Sequence, residues 1–238
     1  MKRLILHAVP ALFLLMLLFQ GQTVHADNEN FECQKFSDTF ESYDINKWAD
    51  VTLLSKSQGI VYVKNGKLVL KAPEQEPCEI QVYSLFTFEG DFDVQSDYDI
   101  SYSREKESCR FNAGIVMQTL GDEKSYKTYV AVNPGKNPFF KARVDSKGEK
   151  NIEKHKGMHI SLTGSFRVIR KNNIISSYKK EQGNWHLVYQ FNTPCPEKLR
   201  MRFKLQTGDA NGPDKEACPV LIKFDNFKVN SCTSITAE

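Results

Sequence analysis

The segment 91-DFDVQSDYDISY-102 decides the fold class, because apolar and polar side chains alternate along it. Successive side chains of a β-strand point to opposite faces of the sheet. A strand here places an apolar row on one face and an acidic row on the other: Phe92, Val94, Tyr98, Ile100 and Tyr102 against Asp91, Asp93, Asp97 and Asp99. The segment 199-LRMRFKLQ-206 repeats the alternation with basic residues. Both segments predict antiparallel strands with one buried face.

Shorter runs with the same period of two fill most of the chain on either side of these segments. Turn signals such as Lys64-Asn65-Gly66 and Gln182-Gly183-Asn184 separate them. The predicted strands cover residues 60–63, 67–71, 80–85, 111–119, 125–132, 139–144, 165–170, 173–180, 185–191 and 220–229. A dozen short strands without a linker predict one all-β domain, an antiparallel β-sandwich of the jelly-roll kind. We place this domain at residues 27–230, followed by a short tail at 231–238.

Residues 1–26, MKRLILHAVPALFLLMLLFQGQTVHA, have the pattern of a secretory signal peptide. They combine a basic start, an apolar stretch and small residues before the expected cleavage point. We therefore expect a secreted or periplasmic protein with no membrane span after processing, since no other apolar run is long enough. The net charge of the chain is +3, and cleavage removes Lys2 and Arg3. The mature protein is therefore expected to lack the large excess of basic residues that is typical of nucleic-acid binding.

Six cysteines lie in the predicted mature part, which is an even number in an exported protein. Disulfides are therefore expected, although free buried thiols remain an alternative. Six cysteines allow 15 connectivities, and spacing alone does not choose among them. No pair has the spacing of a CxxC metal or redox motif.

Four stretches together resemble the concanavalin A-like lectin/glucanase superfamily: FSDTFESYDINKW (36–48), GDFDVQSDYDI (90–100), SFRVIRKNNIISSYKKEQGNW (165–185) and IKFDNFKV (222–229). They occur in the expected order and span nearly the whole mature chain. The resemblance implies that the first and last strands lie side by side, and hence that Cys33 pairs with Cys232. For the remaining cysteines we expect Cys78–Cys109 and Cys195–Cys218.

The superfamily includes glucan hydrolases, whose catalytic strand reads Glu-x-Asp-x-x-Glu or close to it. The nearest match here is Glu89-Gly90-Asp91-Phe92-Asp93. This match ends in Asp93 where the pattern has Glu, and no aromatic neighbour is in place to raise the pKa of one carboxyl for acid catalysis. We therefore expect a non-catalytic member. The alternative is a laminarinase-like glycoside hydrolase that uses Glu89, Asp91 and Asp93.

The acidic and basic rows suggest a structural pairing. If strand 91–102 lies beside strand 199–206, the four aspartates face Arg200, Arg202 and Lys204 across the ladder, each pair contributing about 0.2–1 kcal/mol. The alternative is that the basic row lies on an open sheet face and holds an anionic sugar, because arginine presents a planar fork to carboxylate or sulfate.

A structural calcium ion is the one metal that the resemblance suggests, at the place where the first and last strands meet. No cofactor is otherwise expected. Along 220–229 the apolar residues alternate as far as Phe224, but the next large apolar residue, Phe227, is three positions further on and breaks the alternation. This break predicts a bulge at Asp225-Asn226. Asp38 and Asp225 are the candidate oxygen ligands. Alternatively, Asp225 caps the bulge through backbone N–H groups.

A binding function fits these observations better than catalysis, and the resemblance favours a lectin-like module that binds polysaccharide or another glycan. Sugar rings present apolar faces that stack on aromatic side chains. The candidate ligand-binding residues are Tyr126, Tyr129, Tyr178, Trp185, Arg200 and Arg202. The alternative is a structural module without a sugar ligand that interacts with an envelope or extracellular protein.

Overall fold

The computed structural model describes residues 32–53, 59–73, 77–103, 109–121, 124–133, 136–146, 149–159, 161–192, 198–208 and 218–237. The predicted signal peptide and Cys195 lie outside these residues. A single helical turn over 32–34 precedes the strands. The strands are β1 (Trp48–Leu53), β2 (Ile60–Val63), β3 (Leu68–Ala72), β4 (Cys78–Tyr102), β5 (Phe111–Thr119), β6 (Lys124–Val132), β7 (Phe139–Ser146), β8 (Glu149–His159), β9 (Thr163–Lys171), β10 (Ile174–Glu181), β11 (Asn184–Asn192), β12 (Leu199–Thr207) and β13 (Val220–Ala237).

The strands form two antiparallel layers that share β4. In the front sheet the order is β1, the first half of β4, β12, β5, β6, β7 and β8. In the back sheet it is β11, β10, β9, the second half of β4, β13, β3 and β2. This arrangement confirms the predicted all-β sandwich, including the meander of β9, β10 and β11.

Strand β4 passes from one sheet to the other at Gly90. Residues 78–88 pair with β12 in the front sheet, whereas residues 92–99 pair with β9 in the back sheet. Gly90 has φ 75°, a backbone conformation that L side chains rarely adopt. Alternation predicted two separate strands at 80–85 and 91–102, and the structure joins them through this glycine.

Aromatic side chains from facing strands fill the space between the sheets. Phe203 of β12 meets Phe224 of β13 with ring centroids 4.4 Å apart. The outward neighbours of Phe203 on β12 are the basic residues, so the predicted alternation of 199–206 is confirmed. Tyr126 of β6 packs on Phe191 of β11 at 6.1 Å, which extends the core to the far edge.

The predicted pairing of the acidic row with the basic row is wrong. Strand β12 lies beside residues 78–88 of β4 and not beside 91–102, so Arg200 is opposite Thr87 and Arg202 is opposite Tyr83. The acidic row lies in the back sheet instead. Asp93 accepts a hydrogen bond from Nε of Arg167 at 2.8 Å, and Asp99 accepts one from Lys223 at 2.9 Å. Charge patterns show which face a residue occupies, but they do not identify the neighbouring strand.

The disulfide Cys33–Cys232 is confirmed, whereas Cys78–Cys109 and Cys195–Cys218 are wrong because Cys109 bonds to Cys218. Cys78 lies opposite Thr207, whose neighbour on the other side is Phe111. Strand β12 therefore separates Cys78 from Cys109 by two strand spacings, about 10 Å. A disulfide does not span more than about 7 Å between Cα atoms.

The opening segment meets the last strand, as the resemblance implied, although the contact is made before β1. Asp38 forms an isolated bridge with Phe227, and Oγ of Ser37 accepts a hydrogen bond from the N–H of Val229 at 2.9 Å. The ladder register shifts between Asp225 and Lys228, where the bulge was predicted. Strand β13 then continues to Ala237, past the expected tail boundary at residue 230.

Candidate functional site

The outer surface of the front sheet is polar, and we call it the front face. It is formed by the outward side chains of residues 78–88 of β4 and of β12, β5, β6 and β7. Leu199, Met201, Phe203 and Leu205 are fully buried towards the core, so Arg200, Arg202, Lys204 and Gln206 point outward. On the neighbouring strands, the same alternation of side chains between the two sides of the sheet places polar residues on this face.

A small pocket of about 50 Å³ opens on the front face between β12, β5, β6 and β7. Its lining combines amides, cations and a phenol with a few apolar groups: Asn112, Ala113, Gly114, Val116, Lys127, Tyr129, Arg143, Lys204 and Gln206. Polar groups that converge in a concave site are typical of ligand pockets.

Gly114 makes this pocket possible, because β5 and β6 approach too closely for a side chain there. A Cβ atom on Gly114 would lie 2.2 Å from the carbonyl oxygen of Thr128 and 2.6 Å from Cα of Tyr129. Both obstacles are backbone atoms that rotamer changes do not move. The centre of the face therefore stays free of a side chain, and the groups around it define the pocket.

We expect Gly114→Ala to lower the free energy of unfolding by about 2–3 kcal/mol, because the new methyl group would push β6 away from β5. Urea unfolding followed by circular dichroism measures this loss. Gly183→Ala is the matched control: Gly183 has φ 84° and open space around it, so only the backbone preference of about 1 kcal/mol is lost. Equal stability of the two variants would contradict the close approach at Gly114.

Asp145 organises two of the pocket cations. Its carboxylate accepts hydrogen bonds from Lys127 and from Nε of Arg143. Burial acts to raise the pKa of Asp145, but the charges and hydrogen bonds of Lys127 and Arg143 outweigh it, so the pKa lies below its ordinary value. Asp145 is therefore ionised at neutral pH.

Lys204 occupies the opposite side of the pocket. Its ammonium group donates to Oε1 of Glu79 at 2.7 Å, and both side chains are 14% exposed. Burial lowers the pKa of Lys204, and the charge of Glu79 partly offsets that effect. The ammonium group is thus poorly hydrated, which strengthens its interaction with any nearby negative charge.

Tyr129 lies between these cations. Burial raises the pKa of its phenol to about 12, although Arg143 acts against this through its charge and a hydrogen bond. Nζ of Lys141 lies 5.6 Å from the ring centroid of Tyr129. Tyr129 therefore keeps a neutral hydroxyl group beside the pocket.

Arg202 and Arg200 extend the front face towards β4. Nη1 of Arg202 donates to Oε1 of Gln81 at 2.6 Å, and the guanidinium group lies 4.5 Å from the ring centroid of Tyr83. Arg200 is half-buried next to Thr87. The two predicted arginines thus lie on the same surface as Tyr129 and the pocket.

The other predicted aromatic residues lie elsewhere. Tyr126 is 2% exposed and faces the core. Tyr178 and Trp185 lie on the outer surface of the back sheet, which we call the back face. There the Trp185 ring has the Arg167 guanidinium 5.5 Å and the Lys180 ammonium 5.7 Å from its centroid. The structure therefore divides the predicted binding residues between two opposite faces and the core.

The three candidate catalytic carboxylates are not brought together on the front face. Glu89, at the bend of β4, is ion-paired with Lys198 at 3.3 Å. Asp91 accepts a hydrogen bond from the backbone N–H of Asn172 at 3.0 Å. Asp93 lies on the back face, where its carboxylate forms a hydrogen-bonded ion pair with the guanidinium group of Arg167.

Catalytic geometry for glycoside hydrolysis needs two carboxyl groups flanking the scissile bond, one of them with a raised pKa. On β5, β6, β7, β12 and residues 78–88 of β4, the outward carboxylates are Glu79 and Asp145. Each is ion-paired, and the lowered pKa of Asp145 is unsuited to a general acid. Both outward carboxylates of these strands are therefore engaged in charge pairs.

No family model matches the chain, and no curated protein matches it. Solved structures do. A protein from work on endo-acting O-glycanases that human gut microbiota express to initiate mucin breakdown has a TM-score of 0.62 and 14% identity, covering 82% of this chain and 98% of that one. Bacillus licheniformis beta-glucanase has a TM-score of 0.55 and 12% identity, covering 81% and 96%.

Rv0315 of Mycobacterium tuberculosis, described as an immunostimulatory antigen and pseudo beta-1,3-glucanase, has a TM-score of 0.58 and 13% identity, covering 85% of this chain and 100% of that one. The chain has a concanavalin A-like jelly-roll fold. At these identities the likeness shows the fold alone. The matched region covers 81–85% of this chain and 96–100% of these structures, so the jelly roll accounts for most of the protein.

The calcium ligands suggested for this jelly roll are engaged in other contacts. Asp38 accepts hydrogen bonds from the N–H of Phe40 and from Nε1 of Trp48, both at 2.7 Å. Asp225 accepts from the N–H of Asn226 at 2.7 Å and lies 3.7 Å from the ammonium group of Lys67. Among the residues that the structure describes, no three acidic, histidine or cysteine side chains form a metal-binding group. The contact of Asp225 with the N–H of Asn226 fits the alternative of a bulge cap, and bound calcium stays a prediction.

Sequence reasoning missed most of the pocket in the jelly roll. Asn112, Gly114, Lys127 and Arg143 were not singled out, although each lies at an outward position of a predicted strand. The missing information was strand order, because these residues come from three neighbouring strands. In the described part of the chain, no helix is long and apolar enough to cross a membrane.

Proposed function

We propose that this protein is an exported carbohydrate-binding jelly roll that acts without catalysis and holds its ligand on the front face, over the Gly114 pocket. The observation that carries the proposal is the set of convergent hydrogen-bonding groups around a centre kept open by glycine. Asn112 and Gln206 supply amides that match sugar hydroxyl groups as both donors and acceptors. Tyr83 and Tyr129 add aromatic surface nearby.

The non-catalytic part of the proposal is supported by the ion-paired state of Glu79 and Asp145. A retaining hydrolase needs one carboxylate free to attack and one carboxyl group that holds a proton. The structural neighbours include both a named beta-glucanase and a named pseudo beta-1,3-glucanase. The fold is therefore compatible with either function, and the front-face residues favour binding.

Export is supported by two independent features. Residues 1–26 have the pattern of a signal peptide. The described residues contain two disulfides, which persist in oxidising compartments. We accordingly place the protein in the periplasm or outside the cell, where polysaccharides are available as ligands.

The double variant Asn112→Ala/Gln206→Ala tests the site. We expect it to weaken polysaccharide binding by about tenfold or more, since each lost hydrogen bond contributes about 1 kcal/mol. Affinity electrophoresis in gels that contain neutral or acidic polysaccharides measures retention. Trp185→Ala, on the opposite face, is the control and should leave retention unchanged.

Three outcomes would contradict this proposal. Retention that disappears in Trp185→Ala but survives in the double variant would move the site to the back face. Release of reducing ends from a beta-glucan would show catalysis. No retention by any polysaccharide would favour a protein-interaction module, for which Leu187, 50% exposed on the edge strand β11, is the supporting observation.

A further inference from the structure

We propose that the pocket on the front face recognises an anionic substituent, a carboxylate or a sulfate, so that the ligand is an acidic polysaccharide. This inference rests on the proposed carbohydrate-binding function. It adds the chemical class of the ligand and the position of its charged group.

The distribution of charge on the front face is the first argument. Cations outnumber the two carboxylates Glu79 and Asp145 on the outward positions of residues 78–88 of β4 and of β5, β6, β7 and β12. The cations on or beside these strands are Arg110, Lys127, Lys141, Arg143, Arg200, Arg202 and Lys204. The whole chain has a net charge of only +3, so these described positions are together more basic than the protein as a whole. A face of one sign attracts ligands of the opposite sign.

The balance of charge inside the pocket is the second argument. Three cations line it, and they share two carboxylates: Lys127 and Arg143 both bind Asp145, and Lys204 binds Glu79. One positive charge is therefore left without a carboxylate of its own. The exposed fractions are 24% for Lys127, 29% for Arg143 and 14% for Lys204, so solvent screens these charges only partly. An anion bound in the pocket would neutralise this remaining positive charge.

The size of the pocket is the third argument. A volume of about 50 Å³ holds a few water molecules, which matches a carboxylate or sulfate group and is smaller than a sugar ring. The ring itself would lie outside, against Asn112 and Gln206. Arg143 supplies a guanidinium group whose planar fork suits either anion.

Two matched pairs of polysaccharides test the inference and separate the two anions. Dextran and dextran sulfate differ by sulfate, while methyl-esterified and de-esterified polygalacturonate differ by free carboxylate. Affinity electrophoresis should show at least tenfold tighter binding to the charged member of one pair or both. Added sodium chloride should weaken that binding, because it screens the charges.

Arg143→Gln separates the pocket from general attraction to a basic protein. Asp145 keeps Lys127 as a partner in this variant, so the strand pairing should persist, and circular dichroism checks the fold. We expect about tenfold weaker binding to the charged polysaccharide, the usual effect of losing a charged hydrogen bond. Lys180→Gln makes the same change in net charge on the back face and should leave the affinity within twofold of the wild type.

Equal binding of charged and neutral members in both pairs would overturn this inference while leaving the carbohydrate-binding function intact. Equal losses in Arg143→Gln and Lys180→Gln would also overturn it, because they would show non-specific charge attraction. Absence of binding to all four polysaccharides and to the neutral panel would overturn the carbohydrate-binding function itself.

Discussion

Replacing Cys33 and Cys232 together by serine should lower the free energy of unfolding by about 5 kcal/mol in the chain-entropy treatment of cross-links. The disulfide joins residues separated by 199 positions, so it restricts nearly the whole described chain in the unfolded state. In the folded state it fixes the segment before β1 to the last strand, next to the Asp38–Phe227 bridge. Urea unfolding of the oxidised wild type and of the variant, followed by circular dichroism, measures the loss.

The variant Cys109→Ser/Cys218→Ser is the matched comparison, because its disulfide spans 109 positions. Loop-closure entropy grows only with the logarithm of loop length, so the two variants should lose similar free energies. A loss below about 1 kcal/mol for Cys33→Ser/Cys232→Ser would contradict the chain-entropy treatment of this cross-link. The wild type under reducing conditions should be at least as unstable as either variant.

The fold class could be predicted from the sequence because burial follows side-chain parity within one strand. Phe203 and Met201 lie inside and Arg202 lies outward, as the alternation of 199–206 required. Parity is a local property, so it holds whatever the neighbouring strand is. The slip between Phe224 and Phe227 located the bulge in β13 for the same reason.

Strand order was not predictable from these patterns, and the errors follow from that. The acidic row of β4 faces Arg167 and Lys223 instead of the β12 arginines, because the bend at Gly90 carries it into the back sheet. Cys109 bonds to Cys218, and β12 lies between the strands that follow Cys109 and Cys78. Both facts depend on contacts between residues that are distant in sequence.

The candidate site was only partly predictable for the same reason. Arg200 and Arg202 were identified from one strand and lie on the front face, but the pocket itself is lined by Lys127 and Arg143 from two other strands. The tyrosines at 126 and 129 show the limit of single-residue reasoning. They are three positions apart on β6, so one faces the core and the other faces the pocket.

The motif at 36–48 has a physical explanation in the contacts of its own residues. Asp38, ten positions before Trp48, accepts the indole N–H at 2.7 Å and also accepts the N–H of Phe40 at 2.7 Å. Phe40 is buried with φ 55°, a strained conformation for a residue with a side chain. Its ring packs on Trp48 and Phe203 at 5.9 and 5.8 Å. The aspartate and the aromatic packing together hold this conformation, which explains why these residue types occur at these spacings.

Trp48→Ala should therefore lower the free energy of unfolding by about 4 kcal/mol, which is typical of removing a fully buried tryptophan. Trp48 is 1% exposed and contacts Phe86, Phe203 and Phe227 at centroid distances of 5.7, 5.3 and 5.3 Å. Its removal leaves a cavity between the sheets and takes the indole donor away from Asp38. Thermal and urea unfolding by circular dichroism report the change without relying on tryptophan emission.

Two further variants separate packing from hydrogen bonding at this position. Trp48→Phe keeps most of the ring but leaves Oδ2 of Asp38 without its donor, so we expect a loss of about 1–3 kcal/mol. Trp185→Ala removes the half-exposed tryptophan of the back face and should lose less than about 1 kcal/mol. If Trp48→Ala were no less stable than Trp185→Ala, the aromatic cluster would not be what joins the opening segment to the two sheets.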